Sequence, residues 1–177
     1  ERTEFDFTAS KYSILGGKNV SDNNVLKGAL LIGPNASGKS NVLKGLSFII
    51  KMIKGEGASF SNYRCFFSKN PITILEYEFL FNNKEVKYVI EYNTRTNSIS
   101  ENLKIDNITV LQRNGNVGEL RIGENVTTDD QLDSQTLFLR TASFNTGRFP
   151  QEPTLRQLMD FLQNSYIIDG YNMGATF

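Results

Sequence analysis

The stretch GPNASGKS, residues 33–40, leaves this chain little freedom. Gly33, Gly38, Lys39 and Ser40 fit the pattern G-x-x-x-x-G-K-[ST], in which glycines let the backbone curl so that successive N–H groups point inward at phosphate oxygens. Such a loop needs a strand to deliver it and a helix to leave it, and the flanks predict both. Leu30, Leu31 and Ile32 form the short apolar run expected of a strand covered on both faces. From Lys39 to Lys54 the pattern turns helical: Val42, Leu46, Ile49 and Ile53 fall in one stripe at about 100° per residue, with Lys44 and Lys51 opposite, and Gly55 and Gly57 end the run. In a loop of this kind Lys39 sets its ammonium between β- and γ-phosphates and the Ser40 hydroxyl ligates Mg²⁺. The competing reading is a glycine-rich turn that caps an ordinary helix.

Residues 72–122 carry a different period. Leu75, Tyr77, Phe79 and Phe81 share one face of ITILEYEFLF; Val86, Tyr88, Ile90 and Tyr92 do so in VKYVIEY, and Ile99, Leu103 and Ile105 in SISENLKI. The connections NNKE, NTRTN and DN are turn-rich, so an antiparallel meander is predicted, with ITVLQ and VGELRI as a further hairpin about RNGN. Ahead of the loop, TEFDFTAS alternates as a half-buried strand would. After the meander, GENVTTDDQLDS reads as an acidic loop that opens a short helix before LFLRTAS. PTLRQLMDFLQN, residues 153–164, predicts a second helix with Leu155, Leu158, Met159 and Leu162 on one side. The expected class is α/β with α+β character: a core at 1–54, a sheet at 72–122 and a mixed segment at 123–177.

Charge excludes little. Nineteen basic residues balance nineteen acidic ones, so net charge calls for neither nucleic acid nor membrane. Lys39, Lys44, Lys51, Lys54, Arg64 and Lys69 against Glu56 make residues 39–69 locally basic; a solvated helix face is preferred to a DNA-facing one. The single cysteine, Cys65, forbids an internal disulfide, and no run is long enough to span a bilayer, which together predict a cytoplasmic protein. The alternating Tyr and Phe residues of the strands are read as core before base-stacking platforms.

GPNASGKSN, with Pro34 and Asn35 early and Asn41 directly after the serine, resembles the ABC, SMC and RecF-like ATPases. Within them, LKGALLIGPNASGKSNVLKGLSFI followed by a strand-rich insert is similar to the AAA-family ATPases of abortive-infection, OLD and retron-linked phage-defence systems. LEYEFLFNNKEVKYVIEYNTRTNSISENLKI resembles the sheet of those proteins, where an E-x-L element recurs, here Glu101, Asn102 and Leu103. The resemblance implies a P-loop NTPase lobe with Walker A residues Gly33, Pro34, Asn35, Ala36, Ser37, Gly38, Lys39, Ser40 and Asn41. It further implies ATP and Mg²⁺ as ligands, dimerisation around ATP, and a nuclease or toxin effector gated by the ATPase.

Three departures qualify it. No Gln occurs in residues 55–75, where the family often has one that senses attacking water. The nearest Walker B match is YIIDG around Asp169, with Gly170 where a Glu should stand, and a turn Asp is the alternative. An LSGGQ-like signature is missing as well. The missing elements belong to the family's C-terminal lobe, so the chain reads as the N-terminal part of a longer ATPase, able to bind ATP and Mg²⁺ but without the residues that hydrolysis needs. Arg140, Arg148 and Arg156 are read as surface residues before arginine fingers. Two other functions remain: a nucleotide-responsive binding module without turnover, and a small kinase or GTPase. The last is opposed by NNKEV, where Val86 occupies the place of a base-reading Asp.

Overall fold

The computed structural model describes residues 4–9, 19–35, 37–56, 60 and 69–166. The chain divides into two compact units, Glu1–Lys44 and Gly45–Phe177. A helix, α1 (Lys39–Lys54), begins in the first and ends in the second.

The second unit is built on a sheet of six strands: β1 (Ile72–Phe81), β2 (Lys84–Asn93), β3 (Ser98–Ile105), β4 (Ile108–Asn114), β5 (Val117–Ile122) and β6 (Asn125–Asp129). Each pairs antiparallel with the next in chain order. The turns explain the meander. Asn82 and Asn83 both have positive φ (50° and 63°), as do Asp106 and Asn107 (48° and 65°). Positive φ at both central residues makes a primed two-residue turn whose twist matches that of the strands it joins, and Asn and Asp tolerate it better than other side chains. Between Leu103 and Lys104 the β3–β4 register shifts, so that Leu103 faces Leu111 while Lys104 faces Thr109. Val110 is the extra residue, and both it and Leu111 are buried.

Alternation along the strands separates two faces. Val86, Tyr88, Ile90 and Tyr92 of β2, and Ile99, Leu103 and Ile105 of β3, turn inward. They form one core with Phe48, Ile49, Met52 and Ile53 of α1, with Leu137, Phe138, Leu139 and Ala142 around α2 (Phe138–Phe144), and with Leu155, Leu158, Met159 and Leu162 of α3 (Pro153–Asn164). A fully buried side chain of this kind contributes roughly 1.5–3 kcal/mol relative to exposure. Pro153 opens α3, and the Glu152 carboxylate accepts from the Leu155 N–H at 2.8 Å, capping it. The segment after β6 packs tightly on Gly118: a Cβ there would lie 2.7 Å from Leu132 Cδ1 and 2.8 Å from the Phe138 ring.

The meander, both long helices and the inward faces agree with the sequence. Four expectations do not. Residues 4–9 make an isolated bridge, Thr8 to Val25, rather than a strand. Leu30 and Ile32 are 82% and 84% exposed and form no strand. An apolar strand of that type needs neighbours on both sides, and the described residues supply bridging partners only as far as Leu26. The acidic segment after residue 123 includes a strand, β6, because Gly123 (φ 61°) turns the chain back on β5; Val126, paired with Arg121, joins the ladder. Finally, the buried face of α1 is rotated from the expected stripe: Phe48 and Met52 are buried whereas Val42 and Leu46 are half-buried, since Phe48 packs edge-on against Phe60 at 4.8 Å.

Candidate functional site

Residues 33–41 behave as one local device. The Ser37 N–H donates to the Pro34 carbonyl at 3.3 Å, closing a turn. Gly38 then takes φ 90°, a conformation that L side chains rarely adopt, and its carbonyl accepts from the N–H groups of Asn41 (2.9 Å) and Val42 (3.3 Å) as α1 begins. A Cβ on Gly33 would lie 3.0 Å from Ser37 Oγ, so that hydroxyl would have to give by a few tenths of an ångström. Lys39 folds back into the curl. Its ammonium donates to the carbonyls of Gly33 (2.7 Å) and Pro34 (2.6 Å) and to Ser37 Oγ (3.1 Å). Ser40 and Asn41 open the helix with exposed side chains, as Pro34 and Asn35 do in the loop, and Ala36 lies outside the described residues. The first turn of α1 contains no acidic residue, whereas Lys51 and Lys54 stand in its last turn. The positive pole of the helix therefore faces no side-chain anion of its own, and the negative pole is compensated.

Two contacts from the second unit hold α1. The Tyr77 hydroxyl of β1 donates to the Gly45 carbonyl at 2.7 Å. At the C-terminus, Gly55 (φ 74°) donates to Met52 O and Glu56 N–H donates to Lys51 O, a Schellman closure. The Ile53 carbonyl is taken by the Arg140 guanidinium, which lies 4.6 Å from the Phe144 ring centroid.

Among the described residues Glu101, on the inner face of β3, is a fully buried charged side chain. Its carboxylate pairs with Arg113 at 3.2 Å, accepts the Tyr88 hydroxyl at 2.5 Å, and accepts the N–H groups of Phe138 (2.7 Å) and Leu139 (3.3 Å) at the start of α2. Arg113 also donates to Gly115 O and Thr136 O, at 2.6 Å each, and to Asp133 O. Burial pushes the Glu101 carboxyl above the usual carboxylate range, against the pull of its donors, and burial with the adjacent carboxylate pushes the Tyr88 hydroxyl well up. This clamp ties the sheet to residues 133–139. Sequence reading noticed Glu101 only through its E-x-L resemblance. The physical signal was a lone charge among Ile99, Leu103 and Ile105, on a face that is otherwise core.

The other candidates separate cleanly. Arg148 is held by the Asp129 carboxylate (3.0 Å) and the Thr128 carbonyl (2.9 Å), Arg140 by α1, and Arg156 is exposed. Lys44, Lys51 and Lys69 are exposed, as a solvated face requires; Arg64, Cys65, Asp169 and Gly170 lie outside the described residues. The inward Tyr and Phe residues are core, as read, which leaves the outer face of the sheet to an open groove of about 430 Å³ whose lining includes Glu91, Ser100, Asn102, Gln112 and Asn114. None of residues 33–41 lines it. Among the described residues no cluster of three or more His, Cys, Asp or Glu could hold a metal, and no helix is long and apolar enough to cross a membrane.

Residues 29–147 match the family model described as "AAA domain, putative AbiEii toxin, Type IV TA system", more than half of the chain, including the 33–40 loop and the sheet. Neither a curated protein nor a solved structure matches significantly.

Proposed function

Since the chain belongs to the family of AAA domains described as putative AbiEii toxins of type IV toxin–antitoxin systems, we propose that residues 33–40 are its Walker A loop, which binds ATP together with Mg²⁺. The observation that carries this reading is the Lys39 ammonium, held inside the loop by the Gly33 and Pro34 carbonyls at the start of α1. All three donors of that ammonium are engaged within the loop, so a phosphate oxygen would take the place of one of these acceptors, as the loop acceptors are themselves only neutral. Three features fit a triphosphate: the left-handed backbone at Gly38, a first turn without acidic residues, and an amphipathic helix anchored at its far end. Ser40, with its exposed hydroxyl in the first turn, is the residue that would hold Mg²⁺, which would neutralise phosphate charge. Pro34, Asn35, Ala36, Ser37 and Asn41 would complete the phosphate cradle. A DNA ligand gains no support from net charge.

The finer reading is that ATP is hydrolysed, that two copies close around the nucleotide, and that closure gates a nuclease or toxin effector of a phage-defence system. The support for this finer reading is the family membership and the resemblance of GPNASGKSN to dimerising ATPases.

Lys39→Ala is the decisive variant. Losing a charge-assisted contact to phosphate, about 1.5–3 kcal/mol, should weaken Mg·ATP binding by at least about tenfold in calorimetric titration. The circular dichroism spectrum and unfolding midpoint should stay unchanged, because the ammonium bonds only within its own loop. Wild-type affinity in K39A would remove the assignment. ATP-dependent doubling of mass in light scattering would support closure of two copies.

A further inference from the structure

The helix that starts at the phosphate loop ends at a side chain from 87 positions away. The Schellman closure at Gly55 and Glu56 occupies the carbonyls of Met52 and Lys51, and Arg140 takes that of Ile53. Gly55 makes room for this: a Cβ there would lie 3.0 Å from Arg140 Nη2 and 3.2 Å from Cζ. Arg140 belongs to the short helix α2, whose first N–H groups are held by the buried Glu101 carboxylate. A continuous series of contacts thus runs from the Glu101–Arg113 clamp, through α2 and Arg140, to the C-terminus of α1.

We infer that Arg140 is a positioning residue for the phosphate loop, and that phosphate bound at residues 33–40 in turn tightens α2. The inference rests on the nucleotide-binding reading above. Its physical basis is the cooperativity of helices: each turn of α1 is stabilised by the turn beyond it, so fixing the last carbonyls favours the ordered first turn that presents N–H groups to phosphate. Lys51, Lys54 and the Arg140 guanidinium place three cations at the negative pole of α1, while its first turn carries no acid. By linkage the effect is reciprocal: if an ordered Arg140 contact favours phosphate binding, bound phosphate favours the Arg140 contact by the same factor.

Hydrogen exchange read by mass spectrometry tests this on the whole chain, with and without a saturating non-hydrolysable ATP analogue and Mg²⁺. In the wild type, nucleotide should slow exchange in peptides covering both 37–46 and 137–145. Arg140→Ala should bind the analogue about fivefold more weakly. At saturation it should keep the protection at 37–46 and lose it at 137–145. Arg140→Lys should recover part of both effects, and Arg156→Ala, at an exposed position, neither. Wild-type protection confined to 37–46 would overturn the inference and leave nucleotide binding intact. So would R140A with wild-type affinity and protection at 137–145. No protection at 37–46 and no saturable binding would overturn the nucleotide reading and this inference together. The wild-type arm needs no Arg140 variant, so the test survives a variant that does not fold.

Discussion

Replacing Glu101 with Gln removes one negative charge from a place where both members of an ion pair are sealed from water; the Glu101 and Arg113 side chains are 0% and 1% exposed. Breaking a buried pair by neutralising one partner costs about 3–5 kcal/mol, because the surviving charge keeps its desolvation penalty and loses its compensation. Here the loss falls toward the lower end. Arg113 retains three carbonyl acceptors, those of Gly115, Thr136 and Asp133, and the Gln oxygen can still accept from the Phe138 N–H. The expected cost is about 3 kcal/mol, a large fraction of the stability of an ordinary domain. For a chain of this length that lowers the midpoint of thermal unfolding by roughly 6–12 °C. Urea unfolding followed by far-ultraviolet circular dichroism measures the cost directly. Combining E101Q with Arg113→Met separates charge from shape: once no guanidinium is left uncompensated, the double variant should be less destabilised than the sum of the singles by about 2 kcal/mol. A cost for E101Q below about 1 kcal/mol, or additivity within about 0.5 kcal/mol, would refute the view that the pair clamps residues 133–139 to the sheet.

Gly118→Ala should destabilise by about 1–3 kcal/mol through overpacking, since its Cβ would meet Leu132 and Phe138 at less than 3 Å; an unchanged urea midpoint would show that this contact yields freely. Asp133 governs part of the acid response. Burial would raise its carboxyl, but donation from the Gln135 and Thr136 N–H groups and the Thr136 hydroxyl outweighs it, leaving the group below its ordinary value. A depressed folded-state value means that its contribution is present above the unfolded-state value and is lost as pH falls through the folded one. Asp133→Asn should therefore flatten stability against pH below about pH 4, and an unaltered slope would contradict the assignment.

The elements legible in the sequence were those specified by neighbours along the chain. The 2.0 and 3.6 periodicities marked the meander, α1 and α3, and the Asn and Asp turns announced their hairpins because left-handed backbone is a property of the residues that adopt it. The curl of residues 33–40 was equally local, as its hydrogen bonds span six positions or fewer. Long-range pairing was not legible. The bulge after Leu103 resets alternation in β4 and so hid that Arg113 faces inward, opposite Glu101 across the ladder. The bond from Arg140 to Ile53 crosses 87 positions, and no pattern in either segment foretells it. Leu30 and Ile32 show the converse: their composition asks for a covered strand, and strand formation requires partner backbones that hydrophobic pattern alone cannot supply. The sequence by itself determined the two long helices, the hairpins of residues 72–122 and the curl of residues 33–40, since each is closed by bonds between near neighbours. Only the tertiary structure decided which charges meet in the core and what holds the far end of α1, since those depend on where distant backbones come to rest.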